Sequence, residues 1–250
     1  MAMQSALLSS ADFVRQLKEE VANSSKQRVD HPFVRAVCAG TASMEQIRNW
    51  ALQDYQFRRA VPRIAMLRYL ACTDPEFQPR LYEVVEDETR GLRAGSIGHP
   101  DMFIEFAESI GIARKQLETA ELRPATAAHL YYAELIVHTL PWFVMMAAQI
   151  GAEGTFPPAV AALGRGFTKQ YGMKPESVRF FTVHEEADEE HGRLAEDIAL
   201  RYITSPPLQA QTREVTMRRL ELLYDTGRDV MSMDINGHSG GLLFHHRSDF

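Results

Sequence analysis

A chain of 250 residues, 45% hydrophobic and 24% charged, can bury a sizeable core and has the composition of a globular protein. Its net charge of -6 argues against nucleic acid or an anionic membrane surface as a partner for the whole chain. The two cysteines, Cys38 and Cys72, lack a CxxC spacing and offer no zinc ribbon, redox motif or disulfide framework, so a reducing compartment is the default.

The N-terminal segment has neither a basic stretch nor a long apolar run, which leaves no signal peptide and predicts a cytoplasmic protein. His31 before Pro32 reads as a helix-start residue. Ser43 and Gln46 form a capping box ahead of Ile47, Trp50, Ala51, Leu67 and Leu70, predicting one long amphipathic helix over 43–72. A second helix is expected over 75–93, with Gly91 near its exit, and His99-Pro100-Asp101 opens a third that closes at Gly111. The run 125–152 comes next, with a kink at Pro141; its most apolar part, from Pro141 onward, is far short of the roughly 20 residues that span a bilayer. After Gly154 and the Pro157-Pro158 pair the helix is expected to resume at Ala159 and stop at Gly172. Lys174-Pro175 starts the next helix, which Ser205-Pro206-Pro207 ends, and Leu208 to Val230 forms the last. Alternating Val- and Thr-rich strands are absent, so the expectation is all-α: one helical domain over 1–233 and a Gly- and His-rich tail over 234–250.

The segment that carries chemistry is Arg179-Phe-Phe-Thr-Val-His184-Glu-Glu-Ala-Asp188-Glu-Glu-His191. At about 100° per residue, His184, Asp188 and His191 fall near 0°, 40° and −20° on the helix wheel and share one narrow face. Two imidazoles and a carboxylate converging there suit iron or manganese with open coordination positions. An acidic helix is more often a solvated surface, but this face adjoins Phe181 and Leu194, on the core side of the stripe. Helical bundles complete such sites with inward carboxylates and histidines from neighbouring helices.

These residues resemble the haem-oxygenase-like di-iron oxidases and oxygenases, relatives of pyrroloquinoline quinone synthase and the TenA thiaminases. The likeness covers about residues 28–204 and rests on the His-x3-Asp-x2-His string preceded by Phe181-Thr182, on Glu153 with Pro157 and Tyr171-Gly172, and on Glu88 followed by His99-Pro100. His31-Pro32-Phe33 and the Trp50 to Tyr55 segment resemble the fold pattern too. The resemblance implies a compact seven-helix bundle whose metal ligands are Glu88, His99, Glu153, His184, Asp188 and His191, with Glu86 as the alternative to Glu88. It implies two ferrous irons per chain, O2 as co-substrate, no catalytic residue beyond the ligands, and a small amine or carboxylate substrate in biosynthesis of a specialised metabolite. Three departures narrow it. Members that form para-aminobenzoate carry a lysine ten residues after the middle glutamate, where this chain has Leu163, so that reaction is disfavoured. The alkene-forming fatty-acid decarboxylases use Glu-x2-His, where Gly91 stands three residues after Glu88, and the thiaminase cysteine has no counterpart.

Other residues read as structural or supporting. Glu134, on the helix of Tyr131 and Tyr132, suits a salt bridge. His129 and His138, nine residues apart, lie about 180° round a helix and cannot share a metal. The Met145-Met146 and Phe180-Phe181 pairs read as core, and His245-His246 as surface. Arg58, Arg59 and Arg63 near Pro62 are the candidate anchors for a substrate carboxylate, against the alternative of an exposed arginine face. The expected partner is a small molecule, with a homodimer left open; the rival readings are a cofactor-free oxidase of the pyrroloquinoline quinone synthase kind and a non-catalytic helical interaction protein.

Overall fold

The structure, a computed structural model, describes residues 7–91 and 97–231; the side chains of residues 185–191 and 229–231 lie outside that description. The chain runs through α1 (Ser10–Ala22), α2 (Pro32–Ala39), α3 (Met44–Arg58), α4 (Val61–Ala71), α5 (Gln78–Arg90), α6 (His99–Ser109) and α7 (Arg114–Glu118). It continues through α8 (Pro124–Thr139), α9 (Trp142–Ala147), α10 (Gln149–Tyr171), α11 (Arg179–Tyr202) and α12 (Pro206–Met231), with 3-10 turns at Arg28–Asp30 and Pro175–Val178. No strand occurs among the described residues, and no described helix is long and apolar enough to cross a membrane. The expected tail over 234–250, with its His238, His245 and His246, falls outside the described residues.

Seven helices is too few, because several expected rods are broken or run differently. The capping box at Ser43 is made as expected, its hydroxyl accepting from the Gln46 N–H and the Gln46 side chain accepting from the Ser43 N–H. The rod then stops at Arg58, and Pro62, with no N–H to donate, sits in the first turn of a separate α4. Leu70 on that second piece is exposed, not core. At Pro141 the expected kink is a full break, since Leu140 and Pro141 take extended ψ between α8 and α9. The opposite holds at Pro157-Pro158, where α10 runs unbroken through both prolines. The pair cannot donate back to the carbonyls of Glu153 and Gly154, yet packing of α10 against α1, α2, α11 and α12 carries the helix across that gap.

The two largest apolar cores among the described residues organise the bundle. One is aromatic: Trp50 stacks on Phe33 at 5.0 Å, and Phe106 meets Phe181 edge-on at 4.9 Å. Phe103 and Phe180 extend the same cluster, which ties α2, α3, α6, α10 and α11 together. The other gathers Ile64, Phe77, Leu81, Trp142, Met145, Met146, Leu194 and Ile198 from α4, α5, α9, α11 and the turn before α5. Met145, Met146, Phe180 and Phe181 are buried, as their sequence pairs predict.

Candidate metal centre

A cavity of about 110 Å³ lies between these two cores, with Phe180 from the first and Ile64, Met146 and Leu194 from the second in its wall. Glu88, His99, Glu153 and His184 all line it. They come from four helices, α5, α6, α10 and α11, so the tertiary fold rather than one motif brings them together.

Glu88 and His99 are joined by the return of the chain from α5 to α6. Gly91 ends α5 in the left-handed region at φ 61°, and a Cβ there would strike the Ile97 carbonyl. Gly98 caps α6, and its Cβ would lie 2.5 Å from the Thr89 carbonyl. The two glycines let the helix ends approach until His99 Nδ1 stands 2.9 Å from Glu88 Oε2. Burial disfavours a charged His99, but the Glu88 carboxylate, by its charge and hydrogen bond, outweighs burial and holds the imidazole above its ordinary value. Glu86, the alternative, sits 3.8 Å from Arg90 and does not line the cavity, which favours Glu88.

His184 is held by the aromatic core. Phe180 packs edge-on to Phe103 at 5.0 Å, and its own ring lies 4.4 Å from the His184 ring. His184 Nδ1 donates to the Phe180 carbonyl at 2.6 Å; because a carbonyl only accepts, this fixes the tautomer and turns the lone pair to Nε2. Burial first, and then the neighbouring His99, push His184 down to about 3, so its imidazole is neutral at physiological pH. The His99 and His184 ring centroids are 4.3 Å apart. Glu153 lines the same cavity, and Gly192, the residue after His191, lies beside it, since a Cβ there would stand 3.7 Å from the Glu153 Cβ.

Asp188 and His191 are on α11, one and nearly two turns beyond His184, and their side chains lie outside the described residues. Among the described residues no three His, Cys, Asp or Glu side chains stand ready around one point to hold a metal. The donor chemistry nonetheless fits iron: imidazole nitrogen with an oriented lone pair, and carboxylate oxygen, lining one cavity.

The three candidate anchor arginines are placed differently. Of the three, only Arg58 reaches the cavity, paired with Asp54 at 2.8 Å and set 4.7 Å from the centre of the Phe156 ring. Arg59 caps α3 and donates outward to the Glu118 carbonyl at 3.1 Å, while exposed Arg63 pairs with Glu134. The break between α3 and α4 rotates these two away, so they do not anchor a ligand in this cavity. Glu134 is thus the salt-bridge residue its position suggested, with His138 Nε2 3.6 Å from it. His129 is buried behind Phe57, stacked 4.2 Å from its ring, and does not itself line the cavity. His31 caps α2 through Nδ1, which accepts from the Phe33 N–H at 3.0 Å, and lines a smaller cavity that shares Arg58, Phe156 and Phe180 with the first. Neither cysteine lines the main cavity: Cys38 is exposed and Cys72 is buried beside Asp74.

Sequence reasoning missed two cavity residues, Arg68 and Arg219. The signal was present. Val61, Ile64, Ala65 and Arg68 follow helical spacing on one face of α4, and all four line the cavity. Thr212, Thr216 and Arg219 likewise continue one buried stripe of α12. An arginine at an inward position is the anomaly to notice.

An all-helical chain with a histidine- and carboxylate-lined cavity between two cores defines a class of haem-oxygenase-like helical proteins. A solved structure with that fold, a domain of unknown function from Shewanella denitrificans, superposes with a TM-score of 0.72 at 19% identity, covering 87% of this chain and 91% of the other. A TenA homologue from Pseudomonas syringae gives 0.76 at 14% identity, covering 93% and 96%. Residues 48–224 match the family model described as iron-containing redox enzyme, and the chain belongs to that family. Among characterised relatives, 4-aminobenzoate synthase of Nitrosomonas europaea is 28% identical over 225 residues, 81% of this chain and 89% of that protein. The pyrroloquinoline-quinone synthase of Ectopseudomonas mendocina is 27% identical over 120 residues, 48% of this chain and 46% of the other.

Proposed function

We propose that this protein is an O2-dependent, non-haem di-iron oxidase or oxygenase that acts on a small organic amine or carboxylate. Its metal ligands are Glu88, His99, Glu153, His184, Asp188 and His191. The observation that carries the reading is the convergence of Glu88, His99, Glu153 and His184, from four helices, on one buried cavity in a chain of the iron-containing redox family.

Bound ferrous iron would supply the electrons for reaction with dioxygen. The chain's own groups do the rest. His184, its Nδ1 engaged by the Phe180 carbonyl, presents Nε2 without needing to lose a proton. Phe57, Phe156 and Phe180 line the cavity with apolar surface that excludes bulk water from the reacting groups. Arg58, neutralised by Asp54 and packed on Phe156, stiffens the wall toward the smaller cavity. Leu163, buried at the edge of that smaller cavity, puts a hydrocarbon where para-aminobenzoate-forming members carry lysine. The reaction is therefore proposed to differ from 4-aminobenzoate formation, although the relatives with that name align over most of the chain.

The test is iron per chain after anaerobic ferrous loading and desalting, followed by an oxygen pulse. The wild type should retain close to two irons and consume oxygen; His184→Ala and Asp188→Ala should each lose stoichiometric iron while remaining folded. Were His184→Ala to hold as much iron as wild type and consume oxygen normally, the metal reading would fall.

A further inference from the structure

Four arginines line the cavity with the carboxylates and histidines: Arg28 and Arg58, which lie over the Phe156 ring with Arg58 paired to Asp54, and Arg68 and Arg219. Arg219 is buried at 4% exposure, and Arg68 enters from α4 on the opposite wall with its Nε fully buried. Neither makes a salt bridge among the described residues. Arg219 donates through Nη1 to Gln149 Oε1 at 2.6 Å, but its Nε, the Arg68 Nε and the Gln149 Nε2 amide have no hydrogen-bond acceptor among the described residues. All three residues line the one cavity. Burial, and then the charge of Arg219, drive Arg68 down to about 9, partly offset by Glu153 and Glu88. Arg219 is lowered by burial as well, with Glu153 opposing. Buried cations normally have a counter-charge, and unsatisfied buried donors are costly. Here these two like charges and an amide donor face a space whose apolar wall is Phe57, Val61, Ile64, Met146 and Leu223, apart from Arg28, Arg58 and the four candidate metal ligands.

We infer that Arg68, Arg219 and Gln149 form the carboxylate-binding subsite for an apolar monocarboxylic acid, which they anchor beside Glu88, His99, Glu153 and His184. The inference rests on the metal reading only for the direction in which the substrate points; the anion subsite stands on the arginines themselves. A carboxylate is the ligand class because two guanidinium groups and an amide N–H supply donors alone. The body is apolar because the remaining wall offers hydrocarbon and aromatic surface. Glu88 and Glu153 line the same cavity but do not supply this counter-ion, since neither Arg68 nor Arg219 forms a salt bridge among the described residues and the Nε of each lacks an acceptor there. A purely structural role, with the arginines serving to neutralise the ligand carboxylates, makes a different prediction: removing one would release iron and leave no preference for anionic ligands.

The experiment titrates anaerobic, iron-loaded protein with benzoate and with hexanoate, each against its primary amide, by calorimetry. Wild type should bind each acid at least ten-fold tighter than its amide. Arg219→Gln and Arg68→Gln should bring acid affinity down to that of the amide, with iron per chain unchanged and the helical fold retained. Equal binding of acid and amide by wild type overturns the inference, as does a retained acid preference in a folded Arg68→Gln or Arg219→Gln chain. Loss of iron in these variants would assign the arginines to charge balance and equally overturn it. If wild type takes up no iron, the metal reading fails separately, and the same titration of the iron-free chain still decides the arginine subsite.

Discussion

Glu88 and His99 form the pair in which one proton position decides between two roles. With Nδ1 of His99 facing Glu88 Oε2 at 2.9 Å, the carboxylate can orient the imidazole and leave its Nε2 to the metal, or it can itself be a ligand that rests on the histidine when no metal is present. Glu88→Gln separates the two. The amide oxygen still accepts from His99, so orientation survives, whereas the anionic donor is gone. If Glu88 is a ligand, Glu88→Gln should lose the second iron as fully as Glu88→Ala while retaining part of the first. An orienting residue would instead keep both irons in Glu88→Gln, with affinity loss of about ten- to a hundred-fold confined to Glu88→Ala. Metal content by inductively coupled plasma analysis, on protein desalted at two free-iron concentrations, reads the difference. His184 needs no such test of protonation, because the Phe180 carbonyl already commits Nδ1 as donor.

At the level of elements, the ends of α5 and α6 bear the demand. Gly91 holds φ at 61° against the Ile97 carbonyl, and Gly98 leaves no room for a side chain beside the Thr89 carbonyl. Gly91→Ala adds left-handed strain and a backbone clash together, for a cost of about 1–3 kcal/mol. In a chain of this size that lowers the melting temperature by roughly 2–4 °C per kcal/mol. The loss should be accompanied by reduced occupancy of the Glu88 and His99 side of the site, while a control at the exposed C-cap Gly172, where no atom lies within 4 Å of a Cβ, lowers stability through φ alone. Equal iron uptake by Gly91→Ala and wild type would show that this return loop does not position the pair. The sequence made part of this legible. Helical period and caps revealed the Ser43 start, the His99 start and the burial of His184 on α11 with Phe181 and Leu194, because local hydrogen bonding and burial decide them. The prolines misled in both directions. Pro62 and Pro141 mark breaks, whereas Pro157 and Pro158 lie within a helix, and the distinction depends on neighbours that pack from elsewhere in the chain. Arg58, Arg59 and Arg63 part company for the same reason: the break at Ala60 leaves Arg58 on the cavity and turns the other two outward, and spacing does not report it.

Across the whole molecule, stability and metal binding are separable, and removing the metal tests the separation. The aromatic cluster around Trp50, Phe106 and Phe181 and the second core around Trp142 and Met145 consist of apolar side chains that exclude water whether or not a metal is bound. A single Phe→Ala change in such a core costs about 3–5 kcal/mol, so many buried aromatics outweigh one site's contribution. The proposed ligands nevertheless come from α5, α6, α10 and α11, and a metal held by all of them binds the folded chain in preference to the unfolded one. Linkage then gives about 2.7 kcal/mol of added stability at a free metal concentration one hundred times the dissociation constant. Chelation should therefore leave the far-ultraviolet helical spectrum intact and lower the melting temperature by several degrees, reversibly on anaerobic addition of ferrous iron. The shift should vanish in His184→Ala, which lacks the ligand but keeps the cores. Unfolding of the chain on chelation would mean that the metal organises the bundle. An identical melt with and without iron would mean that the four cavity residues hold none.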